Sequence, residues 1–264
     1  MDLGLEGKTA LVTGGSKGIG RAVARTLAAE GVRVAICSRD EAALKGAAAE
    51  IERATGRRVE VVAGDLSRRE EVSRVAAASR ARLGRLDILV NNAGAIKGGD
   101  FLTTPDEEWL NGWSLKLLGY IRLAREVLPH MQTQGGGRIV NVVGAAARNP
   151  AATYMMGGTA NAALINFTKA LSDLGARSNV LVTGVSPGPV KTERWDSLMA
   201  QQAKAAGQDL ESYVKERSQE LPLGRIALPE EVADVVCFLA SQRASFLTGI
   251  TITIDGGITR GVYL

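Results

Sequence analysis

Apolar and polar positions exchange places along this chain on a regular beat. Ala10-Leu11-Val12 is a short apolar run, and beyond a glycine-rich turn Arg21 to Glu30 follows a helical pattern. Runs with the length of a buried strand recur at Val32 to Cys37, Val59 to Ala63, Asp87 to Val90, Arg138 to Val143, Val180 to Val185 and Ile250 to Ile254. Between them lie stretches with helical spacing. These are Glu41 to Ala54, Glu70 to Leu83, a long pattern from roughly Glu107 to Gln132, Ala160 to Ala176, a polar insertion near Asp196 to Glu220, and Glu230 to Ala240. Continuous apolar strands alternating with helices predict a doubly wound, mainly parallel sheet with crossover helices on both faces. No repeat, linker or low-complexity tract interrupts the beat, so residues 1–264 are read as a single domain.

Composition narrows the class. A chain of 264 residues with 45% hydrophobic positions can bury one sizeable core. The net charge of +4 comes from scattered basic residues such as Arg57-Arg58, Arg68-Arg69 and Arg80 to Arg85, each with acids nearby and without an aromatic-interleaved stripe. That describes a solvated face and argues against nucleic-acid binding. Met1 to Lys8 lack a signal-peptide core and no later segment has the apolar length to cross a membrane, so a soluble, cytoplasmic protein is expected. Cys37 and Cys237 sit in apolar segments without metal-ligand companions and read as small core residues, with neither a disulfide nor a metal site.

The chemistry starts at Thr13-Gly14-Gly15-Ser16-Lys17-Gly18-Ile19-Gly20, between the first strand and the first helix. Glycines at this spacing let the backbone turn tightly, approach a pyrophosphate and aim the free N–H groups of a helix start at the anion. The end of the second strand, roughly 20 residues on, meets the adenosine ribose in such folds. Ser38 and Arg39 stand there, without a carboxylate. A guanidinium and a hydroxyl would bind a 2′-phosphate that a carboxylate would repel, and Lys17 adds a second cation, so NADP(H) is preferred over NAD(H).

From about Lys8 to Gly257 the chain resembles the short-chain dehydrogenase/reductase family, whose fold is a Rossmann-type doubly wound parallel sheet. The resemblance is carried by T-G-x-x-x-G-x-G as Thr13 to Gly20, Asp65-Leu66, N-N-A-G as Asn91 to Gly94, and the turn Pro187-Gly188 with Val190 and Thr192. Pro222 to Arg225, Pro229 to Ala233 and Thr248 to Gly257 extend it. It implies that Gly14, Ser16, Lys17, Gly18, Ile19 and Gly20 cradle the cofactor phosphates and that Asp65 and Leu66 meet the adenine. It further implies that Asn92, Ala93 and Gly94 border the cofactor, and that Pro187, Gly188, Val190 and Thr192 shape the nicotinamide side.

The catalytic half departs from the family. Members use a Tyr general acid, a Lys four residues on, a Ser that binds the substrate oxygen and a helix Asn that completes a proton relay. Alignment places Gly144 at the Ser, Gly157 at the Tyr, Asn161 at the Lys and Lys116 at the Asn. Tyr154 cannot be shifted into the tyrosine position without breaking the match to Pro187-Gly188, but it can lean into the pocket from the preceding loop, the alternative being a packing residue. Lys116 can hold the ribose, bind an anionic substrate or give a proton, the alternative being a space-filling lysine; His130 reads as a surface residue. Lys116 and Tyr154 are therefore the candidate catalytic residues, and little turnover of ordinary alcohols and ketones is expected.

Three functions remain open: an NADP(H)-dependent oxidoreductase with an atypical site acting on a small molecule such as an activated double bond, a non-catalytic cofactor-binding sensor or assembly partner, and a non-redox enzyme on the same scaffold. A segment at about residues 191–222 resembles the family's substrate lid, and the helical stretches Glu107 to Gln132 and Ala160 to Ala176 match its association surfaces, implying a homotetramer or homodimer.

Overall fold

The computed structural model describes residues 2–94 and 96–261. Seven strands form one sheet in the order β3-β2-β1-β4-β5-β6-β7, every pairing parallel. They are β1 (Thr9–Thr13), β2 (Arg33–Ser38), β3 (Glu60–Ala63), β4 (Ile88–Asn91), β5 (Gly137–Val142), β6 (Val180–Pro187) and β7 (Thr251–Ile254). The doubly wound α/β expectation is met. The chain builds outward from β1 to β3, then returns to lay β4 on the other side of β1, and the reversal leaves a crevice at the carboxyl ends of these strands.

Helices close both faces. One layer packs α1 (Gly18–Ala29), α2 (Glu41–Thr55) and α9 (Pro229–Ala240) on side chains such as Val12, Leu27, Ile36 and Val236. The other packs α3 (Arg69–Leu83), α5 (Leu117–Thr133) and α6 (Met155–Ala176) around Leu11, Leu89, Leu123, Ile139 and Leu171. Leu11, Leu27 and Leu89 are wholly buried, and each such side chain contributes about 1.5–3 kcal/mol.

Two boundaries differ from the sequence reading. The long helix near Glu107 to Gln132 is two helices, α4 (Asp106–Leu115) and α5, meeting at Lys116. Lys116 keeps helical φ and ψ, but its N–H to Gly112 and its carbonyl from Tyr120 each span a long 3.3 Å. The cause is tertiary: Gly112 lies against Met156 and Ile96, Gly119 against the Leu66 carbonyl, and the lysine side chain is drawn to β5. α6 also starts earlier than Ala160, because a 3-10 turn at Ala152–Tyr154 runs straight into it. Beyond β6, α7 (Glu193–Ala206) and α8 (Leu210–Gln219) form the polar insertion.

Candidate active site

A cleft of about 850 Å³ runs along the carboxyl ends of the strands. Its floor is built by a hydrogen-bonded junction between the first and fourth strands. Thr13 Oγ1 accepts from the N–H groups of Asn92 and Ala93 at 2.9 and 3.0 Å, while Asn92 Nδ2 donates to the Thr13 carbonyl at 2.9 Å. Gly14 turns with φ +66, and a Cβ on Gly20 would lie 2.2 Å from the Gly14 carbonyl oxygen, so the turn and the helix start pack without room for a side chain. α1 opens at Lys17 with no side-chain cap, which leaves its first N–H groups facing the cleft. α2, by contrast, is closed by Asp40, which accepts from the Ala43 N–H.

Gly14, Ser16, Lys17, Gly18, Ile19, Ser38, Arg39, Leu66, Asn92, Ala93, Gly94, Pro187, Gly188, Val190 and Thr192 all line this cleft. Asp65 and Gly20 stand behind its surface. The Asp65 carboxylate accepts from the Ser67 N–H and hydroxyl, holding the loop that presents Leu66. Lys17 and Arg39 are exposed on the cleft wall, and Ser38 Oγ donates to the Asp40 carbonyl. Such a set fits a dinucleotide with an extra phosphate, because an uncapped helix start faces the middle of the cleft and two cations stand at its end. Cys37 reaches the wall as well, but burial pushes its thiol up to about 12 and keeps it protonated.

At the other end Gly144, Tyr154, Gly157, Asn161 and Lys116 come together. Gly157 is in the first turn of α6, and a Cβ built on it would lie 2.1 Å from Tyr154 Cζ and 2.5 Å from its hydroxyl. The Tyr154 ring therefore occupies the space that a residue 157 side chain would enter. It is held there by the Gly99 N–H, which donates to the Thr153 carbonyl, and by packing among Ile96, Met156, Trp109 and Trp113. One turn further along α6, Asn161 is 3% exposed, and its Oδ1 has no partner among the described residues. Gly144 has φ +135, and a Cβ there would lie 3.0 Å from Asn161 Nδ2. A serine at that position would be strained as well as crowded.

Lys116 enters from the helix break. Its Nζ donates to the Val143 carbonyl, and its stem runs past Gly94. Although the cleft opens beside the residue, the ammonium end is deep; burial first, and the Arg194 charge second, lower it from 10.5 to about 7. Lys116 and Asn161 both line the cleft, the first entering from the helix break and the second from α6. Asn141, by contrast, bonds to Asn91 and Thr168 in the interior and is absent from the cleft wall; His130 is exposed. Arg194, Trp195 and Leu198 of α7 also reach the cleft, with Arg194 Nη2 donating to the Ile96 carbonyl at 2.5 Å. They escaped the sequence reading; the only signal was a basic residue just after Thr192, which caps α7 by accepting from the Trp195 N–H.

Comparison with known proteins agrees along the whole length. Residues 14–259 match the family model described as Enoyl-(Acyl carrier protein) reductase. The oxidoreductase YvrD of Bacillus subtilis is 34% identical over 267 residues, covering 99% of this chain and 100% of that protein. The structure of L-sorbose reductase from Gluconobacter frateurii, complexed with NADPH and L-sorbose, matches with a TM-score of 0.95 and 34% identity over 99% of this chain and 100% of that one. YwfH, an NADPH-dependent reductase involved in bacilysin biosynthesis, matches with a TM-score of 0.91 and 30% identity over 97% and 99% of the two chains. With its parallel sheet, its glycine turn and these relatives, the chain belongs to the short-chain dehydrogenase/reductase family.

Proposed function

We propose that this protein is an NADP(H)-dependent oxidoreductase that interconverts a carbonyl and a hydroxyl on a small molecule, with Tyr154 in place of the family's tyrosine. The NADP(H) assignment is supported by Lys17 and Arg39 on the cleft wall and by the NADPH complexes among its structural relatives. The observation that carries the catalytic reading is the Tyr154 ring in the side-chain space of Gly157.

Bound against Val190 and Thr192, the nicotinamide would supply or accept a hydride at the substrate carbon. Tyr154 then has one task. In reduction its hydroxyl gives a proton to the carbonyl oxygen as the C=O π bond opens and a C–H bond forms, and it recovers the proton from solvent. Asn161, through its own unpartnered Oδ1, would accept a hydrogen bond from a hydroxyl of the ligand. Tyr154 packs in one apolar cluster with Ile96, Met156, Trp109 and Trp113. Homotetramer or homodimer formation is part of the proposal. Leu118 of α5 and Leu174 of α6 are exposed on the helices concerned, and light scattering of the eluted protein tests it.

The reading is tested by following NADPH oxidation across a panel of aldehydes, ketones, oxo acids and activated double bonds. Turnover of a carbonyl by the parent and its loss in Tyr154→Phe is the expected result. Tight NADPH binding with no turnover would make the chain a non-catalytic dinucleotide-binding protein, and a Tyr154→Phe variant that reacts like the parent would remove the tyrosine from the chemistry.

A further inference from the structure

The substrate end of the cleft carries two basic side chains, Arg194 charged and Lys116 able to take up a proton, and no free counter-charge among the described residues. Lys116 approaches from the helix break and Arg194 from α7, the second reaching across to the Ile96 carbonyl. The carboxylates on the cleft wall belong to Asp40 and Glu193. Both are engaged elsewhere, Asp40 as the cap of α2 and Glu193 in an ion pair with Arg21 at 3.3 Å. What faces Lys116 is the Val143 carbonyl from β5, Gly94 from the β4 loop, Asn161 from α6 and the Arg194 charge from α7. Each of these groups is neutral or positive.

Resting on the oxidoreductase reading, we propose that the substrate carries a carboxylate next to its reacting carbon, a short oxo or hydroxy acid, bound between Lys116 and Arg194. A guanidinium and an ammonium converging from two sides suit the planar, two-oxygen geometry of a carboxylate. The reacting carbon lies close to the carboxylate because the groups follow one another along the wall. Lys116 Nζ sits on Val143, Asn161 Nδ2 lies beside the neighbouring Gly144, and one helical turn away Tyr154 fills the Gly157 space. Since Lys116 is held near neutrality, an arriving anion restores its charge, and binding above neutral pH draws a proton from solvent.

NADPH is titrated first, so that failure of the cofactor reading is seen by itself. The NADP⁺-loaded protein, in which an oxo acid cannot be reduced, is then titrated calorimetrically at about pH 8 with pyruvate, acetoacetate and phenylglyoxylate, with methyl phenylglyoxylate and inorganic phosphate as comparisons, in two buffers of different ionisation enthalpy. At least one acid should bind roughly tenfold or more tighter than the ester and phosphate, with proton uptake. Lys116→Met should remove the uptake and the preference for acid over ester, and Arg194→Gln should weaken binding about tenfold while leaving the uptake. Equal binding of acid and ester, binding of none of the acids, preference for phosphate, or uptake that survives Lys116→Met would each overturn the proposal.

Discussion

Tyr154 and Gly157 share one volume: the hydroxyl of the first stands 2.5 Å from where the Cβ of the second would be. Neither position can then be changed alone. Gly157→Ala, ordinarily favourable inside a helix, must push the ring away and should lower turnover together with Tyr154→Phe, each by about 10²–10⁴-fold, with NADPH affinity kept. Steady-state kinetics beside cofactor titration check this, and a fully active Gly157→Ala would show that the ring position does not matter.

Gly144, with φ +135, makes a complementary expectation. Restoring the family serine there should not raise activity, because φ +135 disfavours any side chain and its Cβ would press on Asn161. A gain in turnover by Gly144→Ser would mean that the loop relaxes freely.

Arg39 on the cleft wall is the residue proposed to meet the 2′-phosphate. Its replacement by Asp should cost NADPH about 1.5–3 kcal/mol, roughly ten- to a hundred-fold, and turn the preference toward NADH. Calorimetric titration of both nucleotides measures it, and unchanged ratios would place the 2′-phosphate elsewhere.

Lys116 also makes folding depend on pH. Held at about 7 against an ordinary 10.5, it is charged in both folded and unfolded chains below about pH 7, where the full cost of burying that charge applies. Between those values the folded protein gives up the proton while the unfolded chain keeps it, so the cost shrinks as pH rises. Lys116→Met should accordingly stabilise the cofactor-free protein by about 4 kcal/mol at neutral pH, fading toward pH 10. Urea unfolding at two pH values decides; a gain equal at both would exclude titration as its cause.

Thr13 ties recognition to the fold. Thr13→Val removes the acceptor for the Asn92 and Ala93 N–H groups in a position that is wholly buried, and should cost about 1–3 kcal/mol in stability while weakening NADPH binding. Retained affinity in a folded variant would show that the loop holds its shape without that hydroxyl.

The strands were legible because a parallel strand covered on both faces reads as an unbroken apolar run, as in Leu89-Val90 or Val180 to Val182. The phosphate turn was legible because its glycines answer local geometry. The helix break at Lys116 was not, since nothing between Gly112 and Gly119 ends a helix by itself; close packing at those glycines and a carbonyl on a distant strand do. Tyr154 illustrates the same limit. Its alignment position said only that it was not the family tyrosine, whereas the missing side chain at Gly157, three residues away, is what admits its ring. Arg194 was invisible for a simpler reason: one arginine among many points inward only because Thr192 sets the start of α7.

The helices α7 and α8 form a cassette. Met199, Ala203 and Tyr213 bury one another with Trp195 and Val214, a small core separate from the two that flank the sheet. The chain enters and leaves this unit at one clasp, where Val190 pairs with Ala227 and the Lys191 N–H donates to the Ala227 carbonyl. Among the described residues, the part of that unit beyond Trp195 is joined to the sheet only through the clasp and the first turn of α7, so its length and composition can vary while the sheet and the phosphate turn keep their register. New substrate ranges are thereby open to this scaffold by inheritance of a block of sequence, without a gradual redesign of its floor.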